Sequence, residues 1–298
     1  MIVPKFLSPG DKVGIIATAK KVDKENTIKG VEILESWGLR VKTGLHLFHS
    51  HHQFAGTDDQ RIEDFQQMIN DQEIKAIFVA RGGYGTTRII DNINFDPLKS
   101  SPKWICGFSD ITAIHLHLFN LGIAGLHSPM PSFFHTLDEK SLVYVKESIF
   151  GIQKKILVNP HHLNRIGTAT GRLVGGNLSI ICNTIGTKSQ IKTSGNILFI
   201  EDIGEQLYHL DRMMVQLKRI GLLSKLSGMI VGQFSEMEDS EDSFGKTAYE
   251  IIHSHMTDFD YPVAFDFPIG HTSNNYAVPI GLISNLIVDS KSASLVLD

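Results

Sequence analysis

Cysteine is nearly absent: Cys106 and Cys182 are the two in 298 residues, too few for a disulfide framework. Each lies inside an apolar run and reads as a buried thiol. Basic residues are not in excess. Twenty-eight Lys and Arg stand against 32 Asp and Glu, a formal charge of -4, which argues against the broad positive surface a polyanion requires and gives the expectation of no nucleic acid partner. Long apolar runs are missing too, with no stretch reaching the roughly 18 residues a membrane span needs. The opening segment "MIVPKFLSPGDKVGIIATAKK" lacks a basic leader, an apolar core and a small-residue cleavage site in succession. The expectation is therefore a soluble cytoplasmic chain with no membrane partner. Also lacking are internal repeats, low-complexity tracts and both common nucleotide-phosphate turns: no G-x-G-x-x-G follows the first strand, and no GxxxxGK[ST] occurs anywhere.

What is present is a globular composition, 42% apolar and 20% charged, with 26 Gly and 10 Pro spread along the chain. The length suits one large domain or two of ordinary size. The first 125 residues alternate strand and helix. "DKVGIIATA" reads as a strand, and "KENTIKGVEILESWG" as a helix with Ile28, Val31, Ile33, Leu34 and Trp37 near helical spacing and Gly38 closing it. "DDQRIEDFQQMIN" is a second helix, whose Ile62, Phe65 and Ile69 share a face. "IKAIFVA" is a continuous apolar strand of the kind buried on both sides of a parallel sheet. "TTRIIDNI" gives a short helix, "KWICGF" a strand, "DITAIHLHLFNLG" a helix and "IAGLHSP" a strand. Such alternation implies an open α/β sheet, with ligands outside the carboxyl ends of its strands.

A different grammar begins near residue 140. "DEKSLVYVKESIFG" is a helix, "GNILFIEDIGE" a strand ending in acids, and "QLYHLDRMMVQLKRIGLL" a long amphipathic helix. After them come a strand "GMIVGQF", an acidic loop "EMEDSED", a helix "GKTAYEIIHSHM" and a pair of strands in "YPVAFDFPIGHTSNNYAVPIGL". The expected organisation is an N-terminal Rossmann-like or flavodoxin-like parallel sheet domain over 1–150 and a smaller C-terminal α+β or mixed domain over 165–298.

Three residues of reactive type follow apolar strands directly. Ser109 stands between "WICGF" and a helix, where a sharp turn can raise its hydroxyl above the sheet; the plainer alternative is a helix cap. Glu201 ends "NILFI", and His271 lies in "PIGHTSNN". A serine hydroxyl needs a base to become a nucleophile, and an imidazole serves best when a carboxylate fixes its tautomer. The order Ser, Glu, His is that of α/β hydrolases, although Ile111 replaces the second glycine of a G-x-S-x-G elbow.

The blocks "ARGGYGTTRIID", "GFSDITAIH", "TGRLVGGNLSI", "FIEDIGEQLYHLDRM" and "FPIGHTSNNYAVPIG" together resemble the LD-carboxypeptidase, or muramoyltetrapeptide carboxypeptidase, family of serine peptidases, which includes microcin C self-immunity enzymes. The resemblance runs from "SPGDKVGII" to near the end of the chain. It implies Ser109 as nucleophile, Glu201 as triad acid, His271 as triad base, and an oxyanion hole built from the backbone N–H groups of Gly83 and Asp110. A glycine at 83 lets the backbone turn toward the reacting carbon. It also implies cytoplasmic peptidoglycan recycling, with release of terminal D-alanine from a muropeptide tetrapeptide, and it admits a homodimer. The chemistry needs no cofactor and no metal. The alternatives are a microcin-immunity type peptidase or amidase acting on an aminoacyl-nucleotide conjugate, and a non-catalytic small-ligand binding protein. This chain departs from the family in "TAK", at Thr18 to Lys20, where a "PS" pair is usual, and at His209 and Thr272.

Four further groups stand out. Arg81, just before the glycine turn, is placed to hold a substrate carboxylate. Tyr84 reads as a wall of the substrate site. His46, His49, His51 and His52 form a histidine-rich segment without a metal-ligand pattern such as HExxH, and read as a polar loop. Glu205, Asp211 and Arg212 read as helix caps or ion-pair partners.

Overall fold

A computed structural model describes residues 1–152 and 155–297. The chain divides into two compact units, Met1–Gln153 with Ser273–Ile280, and Lys154–Thr272 with Gly281–Asp298.

In the first unit the expected alternation is β1 (Lys12–Ile16), α1 (Lys24–Ser36), β2 (Arg40–Thr43), α2 (Asp58–Asn70) and β3 (Ile74–Val79). It continues with the one-turn helices α3 (Thr86–Ile89) and α4 (Pro97–Ser100), then β4 (Trp104–Gly107), α5 (Thr112–Asn120), β5 (Gly125–His127) and α6 (Glu139–Ile149). The strands lie in the order β2-β1-β3-β4-β5 and pair in parallel. The order reverses between β1 and β3, the flavodoxin-like arrangement whose crevice opens at the carboxyl ends of the strands. β3 is buried along its length except at Lys75, as a strand covered on both faces must be.

Local chemistry sets the helices. α2 starts at a reciprocal capping box between Thr57 and Gln60, with Asp58 and Asp59 in its positive first turn. α1 starts at Asp23, whose side chain accepts the Asn26 N–H at 2.8 Å. Its buried face differs from the apolar spacing. Ile28 is exposed, and the helix buries Thr27, Gly30 and Leu34. A β-carbon at Gly30 would lie 2.3 Å from the Pro131 carbonyl, so a small residue is required where the 3-10 segment Pro131–Thr136 runs against α1.

The second unit contains β6 (Lys155–Val158), β7 (Gly167–Asn177), α7 (Leu178–Asn183), β8 (Ile197–Ile203), α8 (Leu207–Arg219), β9 (Gly228–Ser235), α9 (Ala248–Met256) and β10 (Val263–Ala264). After β11 (Val278–Ile280), β12 (Ile283–Val288) and β13 (Ala293–Leu297) complete it. The strand order is β10-β9-β8-β7-β12-β13-β6. The β7 to β10 half is parallel and the β12, β13, β6 half antiparallel, giving the expected mixed sheet. β7 and β8 approach closely at Gly175, where a β-carbon would fall 1.8 Å from the Phe199 carbonyl and φ is +147°. α8 buries Leu207, Leu210, Met213, Met214 and Leu217 along one face and packs against α7 and α9.

One strand reading and one thiol reading need correction. The pair expected in residues 261–282 is not a pair: β10 joins β9, while β11 joins β5 antiparallel as the sixth strand of the first unit's sheet. Of the two thiols, Cys106 is buried but Cys182 is partly exposed, because it lies near the end of the short α7.

Candidate active site

β4 ends at Gly107, and Phe108 continues extended before the chain turns sharply. At Ser109 φ is +64°, in the left-handed region that costs an L-residue on the order of 1 kcal/mol or more. The strain sits at a strand-to-helix turn, the geometry that lifts a hydroxyl above a sheet. Ser109–Ile111 forms a 3-10 turn leading into α5, and neither segment has a side-chain cap bond, so the hydroxyl is not spent as a helix cap.

The glycine turn after β3 lies against this serine. A β-carbon on Gly82 would be 3.2 Å from Ser109 Cβ and 3.4 Å from Ser109 Oγ. Gly83, at φ +110°, faces the aliphatic stem of Lys20, where a β-carbon would meet Cδ at 2.7 Å. Asp110 is buried, and burial raises its carboxyl pKa against the lowering influence of the Thr86 backbone and side chain and of Arg61. Arg81 is partly exposed and donates Nη1 to the Lys21 carbonyl at 3.2 Å. Tyr84 is exposed, its ring 5.9 Å from that of Phe54.

Glu201 and His271 belong to the second unit. Glu201, near the carboxyl end of β8, is fully buried. Its Oε2 lies 2.7 Å from Nδ1 of His271, which is 70 residues away in sequence. Gly232 on β9 makes this approach possible, since a β-carbon there would meet the Ile269 carbonyl at 2.3 Å and Glu201 Cβ at 3.3 Å. Ser235 Oγ donates to the His271 carbonyl at 3.3 Å and ties the loop down. Burial works against the charged imidazolium, but the Glu201 charge and hydrogen bond, with Asp202 and Glu236 behind them, outweigh it and raise the His271 pKa.

A second acid accompanies the pair. Asp202 is buried, and its carboxylate accepts from Asn177 Nδ2 at 2.8 Å, the Ser179 N–H at 2.9 Å and its own Ile203 N–H at 2.9 Å. Burial and the neighbouring Glu201 push its pKa up to about 7, against those hydrogen bonds. The pattern reading missed Asp202 and Gly82, although "ED" at a strand end and the doubled glycine were visible signals.

The remaining candidates engage neighbouring side chains. His46 Nε2 lies 2.9 Å from Glu63 and His46 Nδ1 lies 3.3 Å from His49 Nδ1. Among the described residues no group of three or more His, Cys, Asp or Glu side chains could hold a metal. Glu205 meets His209 at 2.5 Å, Asp211 ties α8 to α9 through His255 at 2.7 Å, and Arg212 lies over the Tyr208 ring at 5.3 Å. No helix among the described residues is long and apolar enough to cross a membrane.

Known proteins match this chain in both halves. The family model for the LD-carboxypeptidase N-terminal domain matches residues 13–128, and that for the LD-carboxypeptidase C-terminal domain matches residues 170–286. A probable murein peptide carboxypeptidase of Bacillus subtilis is 36% identical over 97% of this chain and 93% of its own. The crystal structure of a muramoyltetrapeptide carboxypeptidase from Oxalobacter formigenes superposes with a TM-score of 0.87 at 27% identity, covering 96% of this chain and 99% of that one. A microcin C7 self-immunity protein in complex with adenosine monophosphate shares the fold, with a TM-score of 0.89 at 19% identity over 100% of this chain and 99% of its own.

That last structure overturns the exclusion of nucleic-acid-type partners drawn from net charge. A protein of this fold holds a nucleotide, and another microcin C7 self-immunity structure holds glutamyl sulfamoyl guanosine. The physical reason is one of scale. A net charge of -4 disfavours a long polyanion, whose binding depends on many phosphate contacts, but has little bearing on one nucleotide in one site. With both family models matched in order and a 36% identical relative covering nearly the whole length, the chain belongs to the LD-carboxypeptidase family of serine peptidases.

Proposed function

We propose that the protein is a serine LD-carboxypeptidase that releases terminal D-alanine from muropeptide tetrapeptides during cytoplasmic peptidoglycan recycling, with Ser109, His271 and Glu201 as its triad. The observation that carries this reading is the 2.7 Å contact between the buried Glu201 carboxylate and His271 Nδ1. It leaves Nε2 as the proton acceptor and is the acid–base half of a serine hydrolase. The strained turn at Ser109 supplies the other half.

In this mechanism Ser109 Oγ attacks the carbonyl carbon of the bond before D-alanine while His271 Nε2 takes the hydroxyl proton. The oxyanion forms against the backbone N–H groups of Gly83 and Asp110. His271 then passes its proton to the leaving amine, and D-alanine departs. Water, deprotonated by His271, hydrolyses the acyl-enzyme and restores Ser109. Glu201 holds the imidazole in the Nδ1–H tautomer and stabilises the imidazolium. Arg81, beside the glycine turn, is the proposed partner of the terminal carboxylate, and Tyr84 a wall of the site.

A second reading is favoured by the Escherichia coli microcin C7 self-immunity protein, 26% identical over 97% of this chain. The test treats both together. The enzyme is incubated with L-Ala-D-Glu-diaminopimelate-D-Ala, with its all-L terminal variant and with an aminoacyl-nucleotide conjugate, and products are identified by mass. Loss of D-alanine from the first alone is expected, whereas cleavage of the conjugate alone would replace the reading with the second. Ser109→Ala and His271→Ala should each lower turnover by several orders of magnitude without unfolding the protein. Near wild-type activity in purified Ser109→Ala would reject the nucleophile.

A further inference from the structure

The turn carrying Gly82 and Gly83 ends at Gly85 and Thr86, where buried polar groups from three other segments converge. Arg61 of α2, 1% exposed, donates Nη1 to the Gly85 carbonyl at 3.0 Å and to the Thr18 carbonyl, just past β1, at 2.5 Å. Its Nη2 pairs with Asp58. The Thr18 and Thr86 hydroxyls bond to one another at 2.9 Å. From the nucleophile turn, Asp110 Oδ2 accepts the Thr86 N–H at 2.8 Å, and Asp110 is 1% exposed. A β-carbon on Gly85 would lie 2.6 Å from Arg61 Nη1, so the guanidinium fits here only against a glycine.

Burying an arginine and an aspartate is unfavourable unless their hydrogen bonds are well made, and apolar residues would fill the same space at less cost. Here one Arg61 bond, to the Gly85 carbonyl, and the Asp110 bond, from the Thr86 N–H, run to the turn beside Ser109. Gly85, at φ +143°, has no side chain to hold it, so the turn's shape must be imposed from outside. The Asp110 carboxyl spans the gap directly, since Asp110 follows the serine and Thr86 follows the glycine turn.

From this geometry we infer that Asp110 serves the reaction through its side chain as well as its backbone. Its carboxyl, with Arg61 and Thr18 behind it, is a positioning group that locks the glycine turn to the Ser109 turn and fixes the spacing of the two oxyanion N–H donors. The inference rests on the proposed roles of Ser109, Gly83 and the Asp110 N–H. Loosening the lock leaves every reacting group in place but spoils their alignment, so turnover suffers while substrate affinity does not.

The test compares Asp110→Ala with Asp110→Asn, which keeps an acceptor for the Thr86 N–H. Substrate turnover is read beside the rate at which a fluorophosphonate labels Ser109, a reaction that uses the same oxyanion donors without needing the peptide. Asp110→Ala should lose about ten- to a hundredfold in kcat and in labelling rate, with KM within about twofold. Asp110→Asn should recover to within about threefold of wild type, because the bond to Thr86 is retained. Should Asp110→Ala fail to fold, Thr18→Val removes one bond of the same lock at constant shape and should lower kcat several-fold at unchanged KM. A folded Asp110→Ala with wild-type turnover and labelling overturns the inference alone, as does Asp110→Asn falling as far as Asp110→Ala. A wild-type protein that neither cleaves nor labels overturns the reading of the site, and the inference with it.

Discussion

Replacing Glu201 with Gln keeps the side chain's size and removes its charge from a fully buried position. Glu201 is fully buried, and its Oε1 has no hydrogen-bond partner among the described residues, so its main polar engagement is Oε2 to His271. With charge centres about 4 Å apart and an effective dielectric near 20, the carboxylate stabilises the imidazolium by about 4 kcal/mol. That amounts to about a thousandfold in rate when the imidazolium forms in the transition state. An amide N–H turned toward Nδ1 would also favour the wrong tautomer, as in the serine-protease template.

The pH dependence supplies an independent sign. The wild-type base becomes neutral only above its raised pKa, so the ascending limb of kcat/KM should centre above the ordinary histidine value of 6.5. In Glu201→Gln burial remains and the largest raising influence is gone, with only Asp202 and Glu236 left behind it, so the limb should move to lower pH while kcat falls about a thousandfold. Release of D-alanine, followed from pH 5 to 9 at high enzyme concentration, reads both quantities. A variant keeping more than about a tenth of wild-type kcat, or one whose limb stays put or moves up, would refute the role of Glu201.

Three other changes probe separate links. Asp202 has a folded-state pKa raised to about 7 from 3.8, so it favours the folded state when protonated, and stability should fall as pH rises from about 4 to 7; Asp202→Asn should flatten that part of a denaturation-versus-pH series. Gly82→Ala puts a β-carbon 3.2 Å from Ser109 Cβ, and should lower the rate of Ser109 labelling while the melting temperature shifts little. Gly175→Ala meets the Phe199 backbone carbonyl at 1.8 Å in a conformation that disfavours L-residues, and should cost about 3 kcal/mol or more in chemical denaturation, with soluble yield falling accordingly.

The parallel sheet was legible because its central strands are continuous apolar runs separated by helices, and β3 and β4 do pair in parallel as two such runs should. The turn at Ser109 was legible for the same reason, since a reactive residue following a buried strand has one rim to occupy. Apolar spacing failed where polar groups are buried for a purpose. On α2 it marked Ile62, Phe65 and Ile69, but Arg61 and Asp64 are buried on that helix as well. It also failed at close approaches, as with Gly30 on α1, where smallness matters more than hydrophobicity. α7 was overlooked because it has only six residues, too few for a periodic signal, though Asn177 caps it by accepting the Ile180 N–H at 3.2 Å. The Glu201–His271 contact links residues 70 apart. No local pattern encodes such a pairing; position after apolar strands and the chain order Ser, Glu, His only suggested it, and the resemblance assigned the roles.

The strand β11 has a consequence for how this chain can be made. It supplies the outer strand of the first sheet from residues 278–280, so that sheet remains unfinished until those residues, more than 150 after β5, have left the ribosome. Until then β5 presents an unpaired edge, a template for pairing with another nascent or misfolded chain. A fragment ending near residue 150 would carry that edge permanently. It should express as aggregate unless a peptide spanning residues 273–280 is supplied in trans, which makes the solubility of the early-made segment dependent on one made much later.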